Sequence, residues 1–366
     1  MTSPGPEHVT DDAVSAAVLA ERSGGGPVDI PSGGGPEARA RPSPGRTARR
    51  FVTQNLGLVL AYVILAATTG TYLGFFDASR GRLPGAYSVA SIVDSSIPLS
   101  SAALAQTLVL LTGGIDLSVG GMIDVTNGLA ASNFRPDAPN VIIWSLAILG
   151  VGALGGLVNG LLVVKGRLQP ILVTLAMLSI LQGVALRILP QPGGSVPSSV
   201  TNLLVNPNQP TGLVLIAVMA IGWMAFRRTR FGADVFAMGN DRAAARARGV
   251  PVGRTTVAVY VASGMLAAFG GILVAAVATS GDPTQGDVFT LNSIAAAVLG
   301  GVSLAGGRGN GVGAIAGAFV LTLIVDVLFF ANVNPLFGPF YEGLFLIGAI
   351  VLSVAVGSYL RRRSRL

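Results

Sequence analysis

Residues 227–254 read RRTRFGADVFAMGNDRAAARARGVPVGR, seven arginines set between two uncharged apolar segments at 211–226 and 255–279. Each flank is long enough to cross or nearly cross a bilayer, whose hydrocarbon takes about 20 helical residues. Lys and Arg concentrate in the cytoplasmic loops of membrane proteins, so the island predicts a cytoplasmic loop between two spans. Its middle, 241–248, is a run of good helix formers, and Gly239 and Gly249 are placed to bend the chain at either end. The stretch therefore predicts a short, exposed cytoplasmic helix held between membrane helices. Such a helix is well placed to pass force from a soluble partner into the membrane.

Composition agrees. Of the 366 residues 51% are hydrophobic and 11% are charged, against roughly 25% charged in a soluble domain. With long apolar runs, this indicates an all-α polytopic membrane protein. The net charge of +7 does not point to nucleic acid, because the cations cluster in loops and tails, as they do on cytoplasmic flanks. Without cysteine there are no disulfides, thiolate metal sites or cysteine nucleophiles. The only histidine, His8, lies in the N-terminal tail and gives no basis for a His-ligated metal or a Ser-His-Asp triad. The only lysine, Lys165, precedes Gly166 rather than Ser or Thr, so no P-loop is built. If nucleotide energy drives this protein, another chain must bind the nucleotide.

Working outward, about ten helices are predicted, near 55–74, 87–112, 116–133, 141–164, 169–189, 211–226, 255–279, 289–305, 311–331 and 339–358. Residues 1–50, rich in Pro, Gly, Ser, Ala and Arg, predict a disordered cytoplasmic tail. The apolar run at 13–20 is too short, and too closely flanked by acids, to be the core of a signal peptide. A transmembrane domain follows over 51–360, and 361–366 form a basic cytoplasmic C-terminus. With the N-terminus inside, 20 of the 24 basic residues are cytoplasmic and only Arg80, Arg82, Arg135 and Arg187 lie outside. That split predicts an N-in, C-in topology. The segments 189–210 and 281–287 become outer loops, read by default as solvated connections and otherwise as a docking surface for an external partner.

Several motifs carry candidate function. In LTGGIDLSVGG, residues 111–121, Gly113 and Gly114 allow a helix break, and Asp116 can cap the helix that follows. Asp116, Gly120, Asp124 and Asn127 recur at spacings of four, four and three, on one helix face. Carboxylates are expensive in a membrane and face a polar cavity or a partner. Asp116 reads best as a cap. For Asp124 and Asn127, lining a translocation path and bonding to neighbouring helices stand level. Asn159 and Asp326 are weaker path candidates, equally suited to interhelical hydrogen bonds. Gly152, Gly156 and Gly160, and Gly309, Gly313 and Gly317, repeat every four residues and predict close helix packing. A faint internal echo links GGIDLS at 113–118 to GGVSLA at 300–305.

Together these motifs resemble the membrane permease subunits of sugar-importing ABC transporters, the ribose/xylose/galactose type, over residues 55–358. The specific pieces are LTGGIDLSVGG at 111–121, VNGLLVVKGRLQPILVTLAM at 158–177, RRTRFGADVFAMGNDRAAARARGVPV at 227–252 and IAAAVLGGVSLAGGRGNGVGAIAGA at 294–318. The resemblance implies a homodimeric or paired permease in the lipid bilayer, two cytoplasmic ABC ATPase subunits and an extracytoplasmic sugar-binding protein. It implies no cofactor in this chain, with ATP and Mg on the partner ATPase. The island helix would be the coupling helix, with Gly239, Asn240, Asp241, Ala244, Ala245, Arg246 and Gly249 meeting the ATPase. Two departures stand out: Arg242 and Ala243 where family members often carry acids, and Thr290-Leu291-Asn292 in place of an acidic-Leu-acidic pattern. The expected cargo is a monosaccharide or related polyol. Nucleosides or branched-chain amino acids are the alternative cargo, and an ion-coupled secondary transporter is the alternative class.

Overall fold

The computed structural model describes residues 86–330 without a break, the run 65–71, and scattered positions at 63, 74 and within 334–348. The tail 1–50, the C-terminus 361–366 and most of the helices predicted at 55–74 and 339–358 fall outside the described residues. Within them all extended regular structure is helical. The helices are α1 (Ala86–Leu111), α2 (Ser118–Asn133), α3 (Ala138–Val164), α4 (Pro170–Ile188), α5 (Ser198–Leu204) and α6 (Thr211–Arg228), followed by α7 (Arg230–Asn240), α8 (Arg242–Ala247), α9 (Val252–Ala278), α10 (Asp287–Leu299) and α11 (Gly311–Phe330). Among the described residues, α1, α3, α4, α6, α9 and α11 are long and apolar enough to cross a membrane.

Every helix predicted between 87 and 331 is present. The one expected at 289–305 stops at Leu299, because Gly300 and Gly301, the latter at φ 88°, turn the chain. The segment 189–210 is more than a solvated connection. It contains α5, buries Val196, Val200 and Val205, and pairs Gly193 with Gly281 in an antiparallel bridge. Apolar residues scattered among Pro, Ser and Asn concealed this order.

In a membrane the inside of the bundle is where polar side chains go, since lipid offers them no hydrogen bonds. Helix α1 shows this. Its spanning window has the lower mean hydropathy, 1.2 against 2.3 for α3, yet 94% of it is buried against 17% for α3 and for α6. The buried hydroxyls of Ser96, Ser100 and Thr107 donate to carbonyls one turn back, at 2.8, 2.8 and 2.6 Å. Ser101 Oγ donates across to the Leu266 carbonyl of α9 at 2.8 Å. Helix α1 is thus the central post, and α3, α4 and α6 turn apolar faces outward.

Helix α9 packs on α1, α2 and α3. Its seam with α3 is the glycine repeat read from the sequence. A Cβ on Gly152 would strike the Gly264 carbonyl, one on Gly156 the Tyr260 carbonyl, and one on Gly160 the Val257 backbone. Contact this close supplies dispersion where lipid provides no hydrophobic drive. Two members of the second repeat serve α10 and α11 in the same way: a Cβ on Gly300 would overlap the Gly313 backbone, and one on Gly317 the Ala296 carbonyl, whereas Gly309 lies in the turn before α11 at φ 156°.

Candidate functional site

Between α1 and α2 the chain breaks at residues 112–117. Gly113 sits at φ 77°, a conformation that costs other residues strain. Asp116 follows, 2% exposed. One carboxylate oxygen accepts from Ser118 N–H at 3.0 Å and from Ser118 Oγ at 2.6 Å, and the other accepts from Ser263 Oγ on α9 at 3.2 Å. Asn159 Nδ2 on α3 donates to Ser118 Oγ at 2.8 Å. In the amide orientation that satisfies both ends, Gln106 Nε2 donates to the Asp116 carbonyl at 2.8 Å and its Oε1 accepts from Asp116 N–H at 3.3 Å. Asp116 therefore does cap the start of α2, but it also ties α1, α2, α3 and α9 into one buried polar knot. Tyr260 belongs to the same neighbourhood: a Cβ on Gly114 would lie 3.1 Å from its hydroxyl.

The arginine-rich segment forms two helices rather than one. Thr229 Oγ1 caps α7 by accepting from Gly232 N–H at 3.0 Å. The predicted helix over 241–248 is trimmed to Arg242–Ala247, because Asp241 is extended (φ −160°) and caps it, accepting from Ala243 and Ala244 N–H at 2.8 and 3.0 Å. Gly249, at φ 86°, ends α8 where the sequence placed a bend. Its N–H donates to the Arg246 carbonyl, and Val250 N–H to the Ala245 carbonyl, the paired bonds of a Schellman stop.

Two expectations about this segment are corrected. Gly239 does not bend the chain; it lies inside α7 and faces inward, where a Cβ would collide with the Leu111 carbonyl. Ala245 is 2% exposed and forms a small core with Met238 and Val252, so it is not available to a partner. Both follow from amphipathic packing of the segment onto the bundle. Ala244, Arg246 and Ala247 are exposed.

That packing brings three distant stretches together. Gly307 N–H donates to the Leu111 carbonyl at 2.9 Å. Asn240 Nδ2 donates to the Phe236 carbonyl at 2.8 Å and reaches the Gly307 carbonyl at 3.3 Å. The Arg242 guanidinium donates to the Thr112 carbonyl at 3.0 Å. Arg242 thus satisfies a carbonyl at the C-terminal end of α1, where the helix dipole favours a cation. The two stretches of the internal echo meet here, with a Cβ on Gly113 lying 3.7 Å from the Ala305 carbonyl.

Asp124 and Asn127 lie further along α2, both essentially unexposed. Asp124 Oδ1 accepts from Gly286 N–H at 2.5 Å, and Asn127 Nδ2 donates to the Asp282 carbonyl at 3.0 Å. Gly120, one turn before Asp124, lets the chain at Gly286 approach. Gly120, Asp124 and Asn127 do share a face, covered by the loop between α9 and α10, while Asp116 precedes α2 and stands apart in its own knot. Asp124 Oδ2, Asn127 Oδ1 and Asn159 Oδ1 are buried without a partner among the described residues. Asn159 joins the Asp116 knot rather than Asp124, and Asp326, half-buried on α11, is hydrogen-bonded to none of them among the described residues. Sequence reading missed Gln106, Ser263 and Tyr260. It also missed Asp94, a buried carboxylate beside Gly212, which its place in an apolar helix could have flagged.

Residues 88–355 match the family described as branched-chain amino acid transport system / permease component. The chain belongs to this permease family. It is 34% identical over 264 residues to the ribose import permease of Escherichia coli K12, covering 69% of this chain and 79% of that protein. It is 38% identical over 288 residues to the autoinducer 2 import permease of Klebsiella pneumoniae, covering 76% and 81%. It is 28% identical over 337 residues to the L-arabinose ABC transporter permease of Azospirillum brasilense, covering 90% and 95%. No solved structure matches the chain significantly. As a member of this family with six spanning helices described, the permease is a multi-pass inner-membrane protein.

Proposed function

We propose that this permease is the membrane subunit of an ABC importer that moves a monosaccharide or related polyol inward, with N- and C-termini in the cytoplasm and hydrolysis of ATP on a separate ATPase. The observation that carries the reading is the set of bonds joining the arginine-rich segment to the C-terminal end of α1 and to the turn at Gly307. A partner that grips the exposed side of α8, at Ala244, Arg246 and the turn at Gly249, pulls through Asn240 and Arg242 on the break at Gly113 and Gly114. That break leads directly into Asp116 and α2, whose face carries Asp124 and Asn127. When the covering loop around 282–286 moves, the unpartnered oxygens of Asp124 and Asn127 become acceptors for sugar hydroxyls, while Asn159, in the Asp116 knot, is a separate candidate with its own unpartnered oxygen. Asp326 is a separate candidate on α11. An external binding protein delivers the cargo, and two permease subunits, alike or paired, make the pore.

The sugar assignment is supported by the relatives named for ribose, autoinducer 2 and L-arabinose. The family description, which names branched-chain amino acids, favours that class as the second cargo reading. Uptake of labelled ribose, arabinose and leucine by cells expressing the full importer separates the two. Sugar uptake is expected to survive a protonophore and to stop on ATP depletion, and Asp124→Ala or Asn127→Ala to lower it while membrane abundance and ATPase association persist. Uptake of leucine alone would reverse the cargo. Collapse with the protonophore would make the protein an ion-coupled carrier.

A further inference from the structure

Along one flank of the α3–α9 seam runs an apolar groove of about 670 Å³. Leu161 and Val164 of α3 and Val257, Val261 and Met265 of α9 form its walls. It exists because the seam is thin at this end: Gly160 and Gly253 put no side chain between the helices, and a Cβ on Gly253 would already lie 3.2 Å from Val164. Lys165, just past the last residue of α3, and Arg254, in the first turn of α9, line the same groove at the end nearest α7 and α8. Both are exposed, and neither forms an ion pair among the described residues.

We propose that this groove holds an anionic phospholipid from the leaflet on the α7–α8 side, its acyl chain against α9 and its headgroup phosphate between Lys165 and Arg254. Length and charge both fit this occupant. From Arg254 to Met265 the groove follows α9 for about 16 Å at 1.5 Å per residue. That is roughly half of a hydrocarbon core about 30 Å thick, the depth of a single leaflet. Apolar walls over one leaflet ending in two uncompensated cations match an amphiphile with a negative head. Basic pockets between spanning helices take anionic headgroups by the same electrostatics. A second copy of this chain on the same face would leave both cations without a counter-charge from the groove.

The test uses the full-length protein purified in mild detergent and mixed with equal amounts of phosphatidylglycerol and phosphatidylcholine, with retained lipid counted by native mass spectrometry. Two cations at a headgroup lead us to expect phosphatidylglycerol to be retained by about tenfold or more over phosphatidylcholine. Lys165→Gln with Arg254→Gln should bring that preference close to unity. Met265→Trp, which fills the groove and leaves the cations, should lose the retained lipid. All these positions are exposed, so an unchanged elution profile accompanies each result. Equal retention of the two lipids overturns the proposal, as does a preference that survives the charge-pair variant. Retention unaffected by Met265→Trp would mean that surface charge alone binds, and displacement by glycerol phosphate that the ligand is a free phosphate. Disulfide-linked dimers of Ala258→Cys in native membranes would give the face to a second copy instead.

Discussion

At the residue scale, Asp116 shows how much one buried carboxylate can hold. It accepts from Ser118 twice and from Ser263 once, and its own backbone is gripped by Gln106. Removing the carboxylate strands buried donors, at about 1–3 kcal/mol for each one left unsatisfied. Asp116→Ala should therefore melt several degrees below wild type in detergent and accumulate poorly in membranes, while Asp116→Asn, which keeps an acceptor oxygen, should fall between them. Equal melting of the alanine variant and wild type would reduce Asp116 to a dispensable cap. Asp116 was legible as a cap after a glycine pair, and Asp124 and Asn127 because helical spacing puts them on one face of one segment. Their partners were not. Ser263 lies 147 residues from Asp116, and Gly286 lies 162 from Asp124. No local pattern encodes such pairings.

At the scale of elements, α8 is six residues long, too short to be stable as an isolated helix. It is held by the Asp241 cap, the Schellman stop at Gly249 and the burial of Ala245 against Met238 and Val252. Neighbouring alanines thus have opposite roles. Ala244→Trp adds bulk on the exposed side, where overpacking a close contact costs about 1–3 kcal/mol. It should weaken co-purification of the ATPase and block ATP-driven uptake while the permease stays folded. Ala245→Trp should instead pry α8 from α7 and lower thermal stability of the permease alone. If Ala244→Trp leaves both co-purification and uptake intact, α8 is not where the ATPase docks. The Arg-rich pattern foretold a helix here; the cap at Asp241 fixed its start, and packing decided which alanine faces out.

At the scale of the whole molecule, the charge split predicts that α8 faces the cytoplasm. Single cysteines at Ala244 or Ala247, in a chain with none of its own, should react with membrane-impermeant thiol reagents in inside-out vesicles and remain unlabelled in intact cells. Labelling from the outer face would invert the topology. Hydropathy and the placement of arginines were enough, from the sequence by itself, to determine that this is a helical membrane protein, where its long apolar helices run between 87 and 331, and that the repeat at Gly152, Gly156 and Gly160 packs closely. Those properties are local: a helix satisfies its own backbone in lipid, and a small residue every four positions marks a face whatever lies opposite. Only the tertiary structure decided that the least apolar span, α1, stands at the centre and that Arg242 reaches Thr112. It also decided that the Asp124 face meets the loop around Gly286 and not an open channel. Each of these depends on which surfaces meet across more than a hundred residues of chain. In a bilayer that choice is made by close packing and by the demand of buried polar groups for partners, and neither has a period that a sequence displays.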